Sequence, residues 1–363
     1  MLKNIRIAAK KISNIPKDKL FERVKLGIRK RLSGYPYSII LQTVSACDLK
    51  CKHCFINDYN IHIHDGIIKI MQMDEFLACV ERLRPMIKHA SYFQLSTFEA
   101  ILNKDLFRMM DVILKMNPRI QFPLLSNAMQ LSSEKIALLE NYPLSIVNIS
   151  LDGCTKTTVE KFKTEVVFEK VIDAIRRLKR SRLKEKVAVT FVAHKNNIAE
   201  LPDYVDFVNT LGVKDIYVSN LLTFTREMEG QELYTKQGNK ISQNYFDEAV
   251  KRAKRNGQAI GMPRLSPVKM GCQACESFFI DINGNVAPCD FLAVTTPFTL
   301  WGETVTHAPV LFGNVLKDDP IAIYRKTAFK KFREAHRIGK ELPDECTHCI
   351  DAYGLMCSNR VNH

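Results

Sequence analysis

Three cysteines stand close together in the first third of the sequence, at Cys47, Cys51 and Cys54. They follow an apolar run at 38–44 that predicts a β-strand. Thiolates select zinc or iron–sulfur clusters. A structural zinc takes four ligands, and His53 could supply the fourth. Three thiolates on an iron–sulfur cluster instead leave one iron open to a small molecule, and the strand before the motif favours this interpretation.

A second group of six cysteines lies near the C-terminus. Two Cys-x-x-Cys pairs could form a four-thiolate zinc site, but six thiols exceed what one zinc needs. Two clusters ligated only by thiolates would need eight. We therefore expect one complete cluster, held by Cys289, by one member of the first pair and by two cysteines of the tail, while a second would need another ligand or an open iron. The six are Cys272, Cys275, Cys289, Cys346, Cys349 and Cys357.

The chain has eleven cysteines among 363 residues, an odd number, and its N-terminal stretch lacks the pattern of a secretory signal. A disulfide framework is therefore not expected, and reduced thiols in a cytoplasmic protein fit metal ligation better. No stretch approaches the roughly 18 apolar residues of a spanning helix.

The elements that must position these cysteines alternate along the chain. Strands are predicted at 38–44, 92–95, 121–125, 146–151, 187–193 and 215–219, and helices at 73–87, 106–115, 132–140, 168–180 and 201–211. Six strands, each followed by a helix or turn, predict an α/β fold with a partial (β/α)6 TIM-like barrel. In such barrels active sites form at the carboxyl ends of the strands, where the first cysteines fall.

The pattern changes after about residue 220. We predict a polar loop at 222–241, a helix at 243–255, a hairpin of 277–282 with 285–287 around Asn283-Gly284, a helix at 319–336 and a loop-like tail at 346–357. The predicted domains are a helical arm at 1–36, the partial barrel at 37–221, and a linker with a cysteine-rich extension at 222–363.

The arm carries much of the positive charge. The whole chain has a net charge of +14, and residues 1–32 hold eleven Lys or Arg against two acids. The remainder is only mildly basic, so nucleic acid is not an expected partner. Predicted helices at 4–13 and 17–32 place Leu20, Val24, Ile28 and Leu32 on one face. This stripe packs either on the barrel or on an anionic membrane surface.

The first cysteine motif resembles the radical S-adenosylmethionine (SAM) superfamily, and further segments carry the resemblance. Glu99 lies in Thr97-Phe98-Glu99-Ala100, where the family usually has Gly-Gly-Glu-Pro, so both glycines are replaced. The segment at 150–153 resembles the family's Ser-Leu-Asp-Gly, and Lys161 stands where members often carry the Arg that meets the SAM carboxylate. The resemblance implies SAM contacts from Phe55, Glu99, Ser126, Asn127, Ser150, Asp152 and Lys161.

The C-terminal region resembles the SPASM extension of these enzymes, or its shorter twitch form. The resemblance rests on Gly284 followed by Cys289 after four residues, and on Gly313-Asn314-Val315 before a helix. Pro288-Cys289-Asp290-Phe291 is most similar to the anaerobic sulfatase-maturating enzymes, which implies that Asp290 is a catalytic base. The alternative is that Asp290 only caps a loop.

Together these resemblances imply an iron–sulfur oxidoreductase with SAM, a SAM-binding 4Fe–4S cluster and one or two auxiliary 4Fe–4S clusters. It would cleave SAM to a 5′-deoxyadenosyl radical, abstract hydrogen from a peptide or protein side chain, and take electrons from a reductant such as flavodoxin or ferredoxin. A sugar, cyclitol or lipid-linked small molecule is the alternative substrate. A non-catalytic zinc scaffold that binds protein or membrane is the alternative of another class.

Overall fold

The computed structural model describes residues 34–54, 69–223, 228–269, 271–272, 276–336, 341–356 and 359–361. Its strands are β1 (Ser38–Leu41), β2 (Lys50–Cys51), β3 (Tyr92–Gln94), β4 (Phe122–Ser126), β5 (Leu144–Ser150), β6 (Lys163–Thr164), β7 (Val187–Ala193), β8 (Asp215–Asn220), β9 (Ala259–Met262), β10 (Phe278–Ile280), β11 (Asn285–Ala287), β12 (Thr296–Leu300), β13 (Glu303–His307), β14 (Gly313–Asn314) and β15 (Asn359–Val361).

The described α-helices are α1 (Met73–Ile87), α2 (Leu106–Met116), α3 (Ser133–Leu139), α4 (Lys156–Phe162), α5 (Phe168–Arg180), α6 (Leu201–Thr210), α7 (Lys240–Arg255), α8 (Pro320–Arg325) and α9 (Thr327–Ala335). Those of the first half are amphipathic and bury one face; α1, for example, buries Phe76, Cys79, Val80 and Leu83. Within the described residues, no helix is long and apolar enough to cross a membrane.

All six predicted strands are present, as β1, β3, β4, β5, β7 and β8. They lie in two sheets, with orders β14-β11-β10-β1-β3 and β15-β9-β8-β7-β5-β4. A parallel bridge between Tyr92 and Gln121 joins the sheets where β3 meets β4. The Gln121 amide donates to the Ser91 carbonyl, and the Gln121 carbonyl accepts from the Phe93 amide. The backbone of Pro123, two residues later, faces the same neighbouring strand but has no N–H to donate, so the pairing ends there.

The parallel arc is longer than predicted. β9 pairs in parallel with β8, and β10 pairs in parallel with β1, so eight parallel strands follow one another from β10 to β9. The expectation that 277–282 serves only as part of a hairpin in the extension was incomplete, since its core is a barrel strand as well. Antiparallel β11 and β15 cover the two ends of the arc, and no pairing among the described strands closes it.

The C-terminal region confirms the hairpin around Asn283-Gly284, with Phe279 opposite Ala287 and Gly284 at a φ of +84°. The single helix predicted at 319–336 is wrong: α8 and α9 are separated at Lys326, whose ψ of 134° is extended. The β12–β13 hairpin was not predicted, because its turn uses Trp301 at a φ of +59°, which a bulky residue rarely adopts. The predicted arm helices lie outside the described residues.

Candidate active site

The first cysteine motif forms a loop at the carboxyl end of β1. Cys51 belongs to β2, which pairs antiparallel with β6 so that Cys51 lies opposite Lys163. The amide of Lys52 donates to the Phe162 carbonyl at 3.0 Å, and the amide of Cys54 donates to the Cys51 carbonyl at 3.1 Å. This short ladder fixes the loop to the segment that ends α4. Phe55, a predicted SAM contact, lies outside the described residues.

The thiols of this loop are close enough to affect one another. Burial raises the pKa of Cys47 and of Cys51 to about 12, and in both cases the Cys54 thiol contributes. Three such thiols ionise together only with compensating positive charge, which the iron of a cluster supplies. Within the described part of the chain, no three Cys, His, Asp or Glu side chains converge on a point that could hold a single metal ion. The three thiols of this loop match the ligand set of a cluster with one open iron.

Several predicted SAM contacts lie together beside Cys47. Glu99 is 3% exposed and accepts from the Ser126 hydroxyl and from the Asn127 amide, each at 2.7 Å. The Asn127 side-chain amide donates to Asp48 at 2.7 Å and lies 3.4 Å from the Cys47 sulfur. Burial raises the pKa of Glu99 to about 7. Asp48 was not predicted, although it stands inside the motif.

The backbone is ordinary at Thr97 and Phe98, which stand where the family usually has glycines, and the unusual conformation lies one residue earlier. Neither Thr97 nor Phe98 has a positive φ, whereas Ser96 has a φ of +143°. The buried Ser96 hydroxyl donates to the Val44 carbonyl at 3.1 Å and accepts from the Phe98 amide at 3.0 Å. These bonds hold the unusual conformation one residue before the segment.

The predicted pair Ser150 and Asp152 surrounds a lysine that the sequence reasoning missed. The Lys163 ammonium lies 2.6 Å from the Ser150 hydroxyl and 3.2 Å from Asp152 Oδ2, with both charged side chains 2% exposed. Burial alone would raise the pKa of Asp152, but Lys163 and His53 outweigh it and hold that pKa below its ordinary value. No local pattern in the sequence marks Lys163, because the β2–β6 pairing is what brings it to this site.

His53 and Lys161 have surroundings other than those that their predicted roles would require. His53 Nε2 lies 3.6 Å from Asp152 Oδ2, so this nitrogen is directed to the buried carboxylate rather than completing a zinc site with the cysteines. Lys161 is exposed, and its ammonium lies 5.3 Å from the centre of the Phe162 ring. Its contact with the SAM carboxylate stays a prediction.

Four of the six C-terminal cysteines line one cavity. Cys272 follows β9, Cys289 follows β11, and Cys346 and Cys349 lie among the short helical turns of the tail. The remaining lining includes Asp290, Phe291, Phe298, His336, Asp351 and Met356. Four thiols thus face a common space, as a 4Fe–4S cluster requires. Cys275 and Cys357 lie outside the described residues.

The charges around this cavity also favour a cationic occupant. Burial raises the pKa of Cys349 to about 11, with Asp351 adding to it, and burial raises the pKa of Cys289 well above its ordinary value. The Cys272 thiol donates to Asp351 at 2.8 Å. Buried thiols and carboxyls of one sign lose their protons only against a positive centre.

Asp290 caps a loop, and it also has a raised pKa that would suit a base. Its Oδ1 accepts from the Phe291 amide at 3.1 Å and caps the turn Phe291–Ala293, so the loop-capping role is real. Burial raises the pKa of Asp290 to about 6, while the Phe291 amide and the neighbouring Thr97 side chain lower it. Since Thr97 follows β3, this carboxyl connects the cavity of the C-terminal thiols with the barrel. A carboxyl with this pKa can take up a proton near neutral pH.

Comparisons with known proteins agree with this geometry. A family model described as the radical SAM superfamily matches residues 41–208, and one described as an iron–sulfur cluster-binding domain, SPASM, matches residues 272–350. A curated relative, the tungsten-containing aldehyde ferredoxin oxidoreductase cofactor-modifying protein of Pyrococcus furiosus, is 22% identical over 320 residues and covers 86% of each chain.

Two solved structures share the fold. The structure of native anSMEcpe with bound AdoMet and the Cp18Cys peptide is 18% identical, with a TM-score of 0.64 and coverage of 88% of each chain. The structure of Streptococcus suis SuiB bound to the precursor peptide SuiA is 14% identical, with a TM-score of 0.60, and covers 94% of this chain and 76% of SuiB.

Proposed function

This chain is a radical SAM enzyme with a C-terminal SPASM domain, and from that premise we propose that it oxidises a substrate by removing a hydrogen atom, a proton and an electron. The observation that supports this most is the placement of Asp290. Its carboxyl lines the cavity of Cys272, Cys289, Cys346 and Cys349, and it is close enough to Thr97, which follows β3, for that side chain to lower its pKa. A buried proton acceptor therefore lies at the C-terminal thiol site, near the end of a barrel strand.

When bound, the first cluster supplies the electron that cleaves SAM to the hydrogen-abstracting radical, and the auxiliary cluster accepts the electron that the oxidised substrate loses. Cys47, Cys51 and Cys54 would hold the former, and the four thiols of the cavity the latter. The one-electron donor to the first cluster is proposed to be a flavodoxin or ferredoxin.

The chain's own groups would bind SAM around the first loop. The Glu99 carboxylate, oriented by Ser126 and Asn127, can accept hydrogen bonds from the SAM ammonium. Asp152 is enclosed by Lys163 and His53, so we assign it to holding the loop rather than to direct contact with the ribose.

Asp290 would take the proton that leaves the substrate. For the oxidation to balance, the substrate would lose two hydrogens, and Asp290 would hold the one that leaves as a proton. The bound cofactors would supply the acceptors of the hydrogen atom and of the remaining electron. The raised pKa of Asp290, about 6, suits a group that is ionised at neutral pH yet basic enough to accept a proton.

The substrate proposed first is a peptide or protein side chain. Support comes from the shared fold with anSMEcpe and SuiB, whose solved structures contain peptides. A non-peptide small molecule is the second candidate, and the likeness to a cofactor-modifying protein favours it. Cysteine- and serine-containing peptides, assayed for the loss of two hydrogens, distinguish the two.

The test uses anaerobically reconstituted enzyme and two variants. Replacing Cys47, Cys51 and Cys54 together by Ala should abolish 5′-deoxyadenosine formation and remove one cluster's iron, while the C-terminal iron remains. Asp290→Asn should keep all the iron and the cleavage of SAM but lower peptide oxidation at least about 100-fold, because the proton has no acceptor.

Asp344→Asn is the matched control, since Asp344 is an exposed carboxylate two residues before Cys346. It should leave oxidation unchanged. Reductive cleavage of SAM by the triple Ala variant would contradict the assignment of the first cluster, and full oxidation by Asp290→Asn would leave Asp290 only its capping role.

A further inference from the structure

The imidazole of His336 lies between two cysteines of the C-terminal cavity. His336 directly follows α9 and is 8% exposed. The backbone amide of Cys272 donates to its Nδ1 at 3.1 Å, and the Cys346 sulfur lies 3.5 Å from its Nε2. One ring therefore contacts two segments that carry predicted cluster ligands and are more than 70 residues apart in sequence.

The contacts determine which ring nitrogen carries the proton. A backbone N–H can only donate, so Nδ1 must present its lone pair to Cys272. A ring nitrogen that accepts a hydrogen bond carries no hydrogen, so the ring's hydrogen sits on Nε2. A thiolate has no hydrogen to give, so Nε2–H is the donor toward the sulfur of Cys346.

This arrangement depends on a close approach that only glycine permits. Gly271 has a φ of +76°, and a Cβ there would lie 1.8 Å from the His336 carbonyl oxygen. The Phe332 ring packs against the imidazole at 5.3 Å between centroids. Contacts on more than one side therefore fix the orientation of the imidazole ring and keep its Nε2 directed at Cys346.

We propose that His336 is a positioning residue for the auxiliary cluster, and that its Nε2–H bond to Cys346 makes this cluster easier to reduce. A hydrogen bond to a ligating sulfur offsets the negative charge gained on reduction and raises the reduction potential. The cluster would then be the better acceptor of the electron from the substrate. The inference rests on the proposed function only in placing a cluster in this cavity.

The test is a redox titration followed by electron paramagnetic resonance, without substrate, on the reconstituted full chain. The Cys47/Cys51/Cys54→Ala background isolates the auxiliary signal. His336→Leu should lower the potential so that the reduced-to-oxidised ratio at a fixed potential falls about tenfold, which equals about 59 mV for one electron. His336→Gln keeps an N–H donor, so its reduction potential should be closer to that of the unchanged protein than the potential of His336→Leu is.

His348→Leu is the matched control: His348 lies beside Cys349, but its ring contacts Thr347 and Glu303. It should leave the potential in place. An unchanged potential in His336→Leu, or an equal shift in His348→Leu, would overturn the proposal. If His336→Leu binds no auxiliary iron, His336→Gln decides: it must keep both the iron and the potential, and loss of either also overturns it. Because no turnover is measured, a wrong assignment of the oxidation would not affect this result.

Discussion

Glu99 is a buried carboxyl whose pKa of about 7 gives the proposed binding of SAM a pH dependence. The SAM ammonium would favour the ionised carboxylate, so binding must release a proton wherever the free enzyme is protonated. We therefore expect the affinity for SAM to be constant above pH 7 and to fall about tenfold per pH unit below it. Equilibrium dialysis with labelled SAM between pH 5.5 and 8.5 measures this.

Glu99→Gln is the control for this effect. The amide cannot ionise, so the variant should bind SAM more weakly and with little change across the same pH range. A pH-independent affinity in the unchanged protein, or the same slope in Glu99→Gln, would assign the proton release to another group.

A motif can mark single residues, but the sequence does not show which of them meet. Glu99, Ser126 and Asn127 were each predicted to contact SAM from separate segments; the structure joins them in one hydrogen-bonded cluster beside Cys47, and their contact with SAM stays a prediction. Lys163 was missed because its role arises from a strand pairing that brings it opposite Cys51. In the sequence it is one of many lysines, and Lys161, two residues earlier, fits the family spacing better.

The β2–β6 pairing places Lys163 opposite Cys51, and Lys163 forms a buried ion pair with Asp152. This ion pair connects the cysteine loop with the rest of the site. Removing one partner of such a pair costs about 3–5 kcal/mol because the other charge stays buried. Lys163→Met should therefore lower the Tm of the reconstituted enzyme by several degrees and reduce the iron bound at the first site. Differential scanning calorimetry and iron analysis measure both.

The double variant Lys163→Met/Asp152→Asn separates charge from packing. It leaves no uncompensated charge, so it should recover a large part of the lost Tm. Lys156→Met, at an exposed lysine of the same helix region, should have little effect. If the double variant is no more stable than the single one, the pair does not act through its charges.

Among the elements, local periodicity predicted those that form within one stretch of chain. α1 and α5 have the predicted bounds because their apolar positions recur every three to four residues. The pairing of β10 with β1 and of β9 with β8 joins distant segments, and no local pattern encodes it. The break at Lys326 was missed because the apolar periodicity continues across it.

For the whole molecule, the uneven charge gives a prediction that the described residues leave untested. Residues 1–32 carry a net charge of +9 from eleven basic and two acidic residues. If this arm binds membrane, the full chain should co-sediment with vesicles containing anionic lipid, and binding should weaken as salt rises.

A chain starting at Gly34 is the comparison. It should stay in the supernatant where the full chain sediments. Equal binding of both, or of neither at low salt, would indicate instead that the stripe of Leu20, Val24, Ile28 and Leu32 packs on the barrel.

The pairing of β1 with β10 also bears on how the enzyme matures. β1 leads into the first cysteine loop, yet one of its two neighbours, Phe278–Ile280, is synthesised almost 240 residues later. While a ribosome is still translating the middle of the chain, one edge of β1 has no partner, and the loop after it lacks its final support. Delivery of iron and sulfide to Cys47, Cys51 and Cys54 is therefore expected to follow translation of the C-terminal strands, so that a cell loads both metal sites into a nearly finished polypeptide.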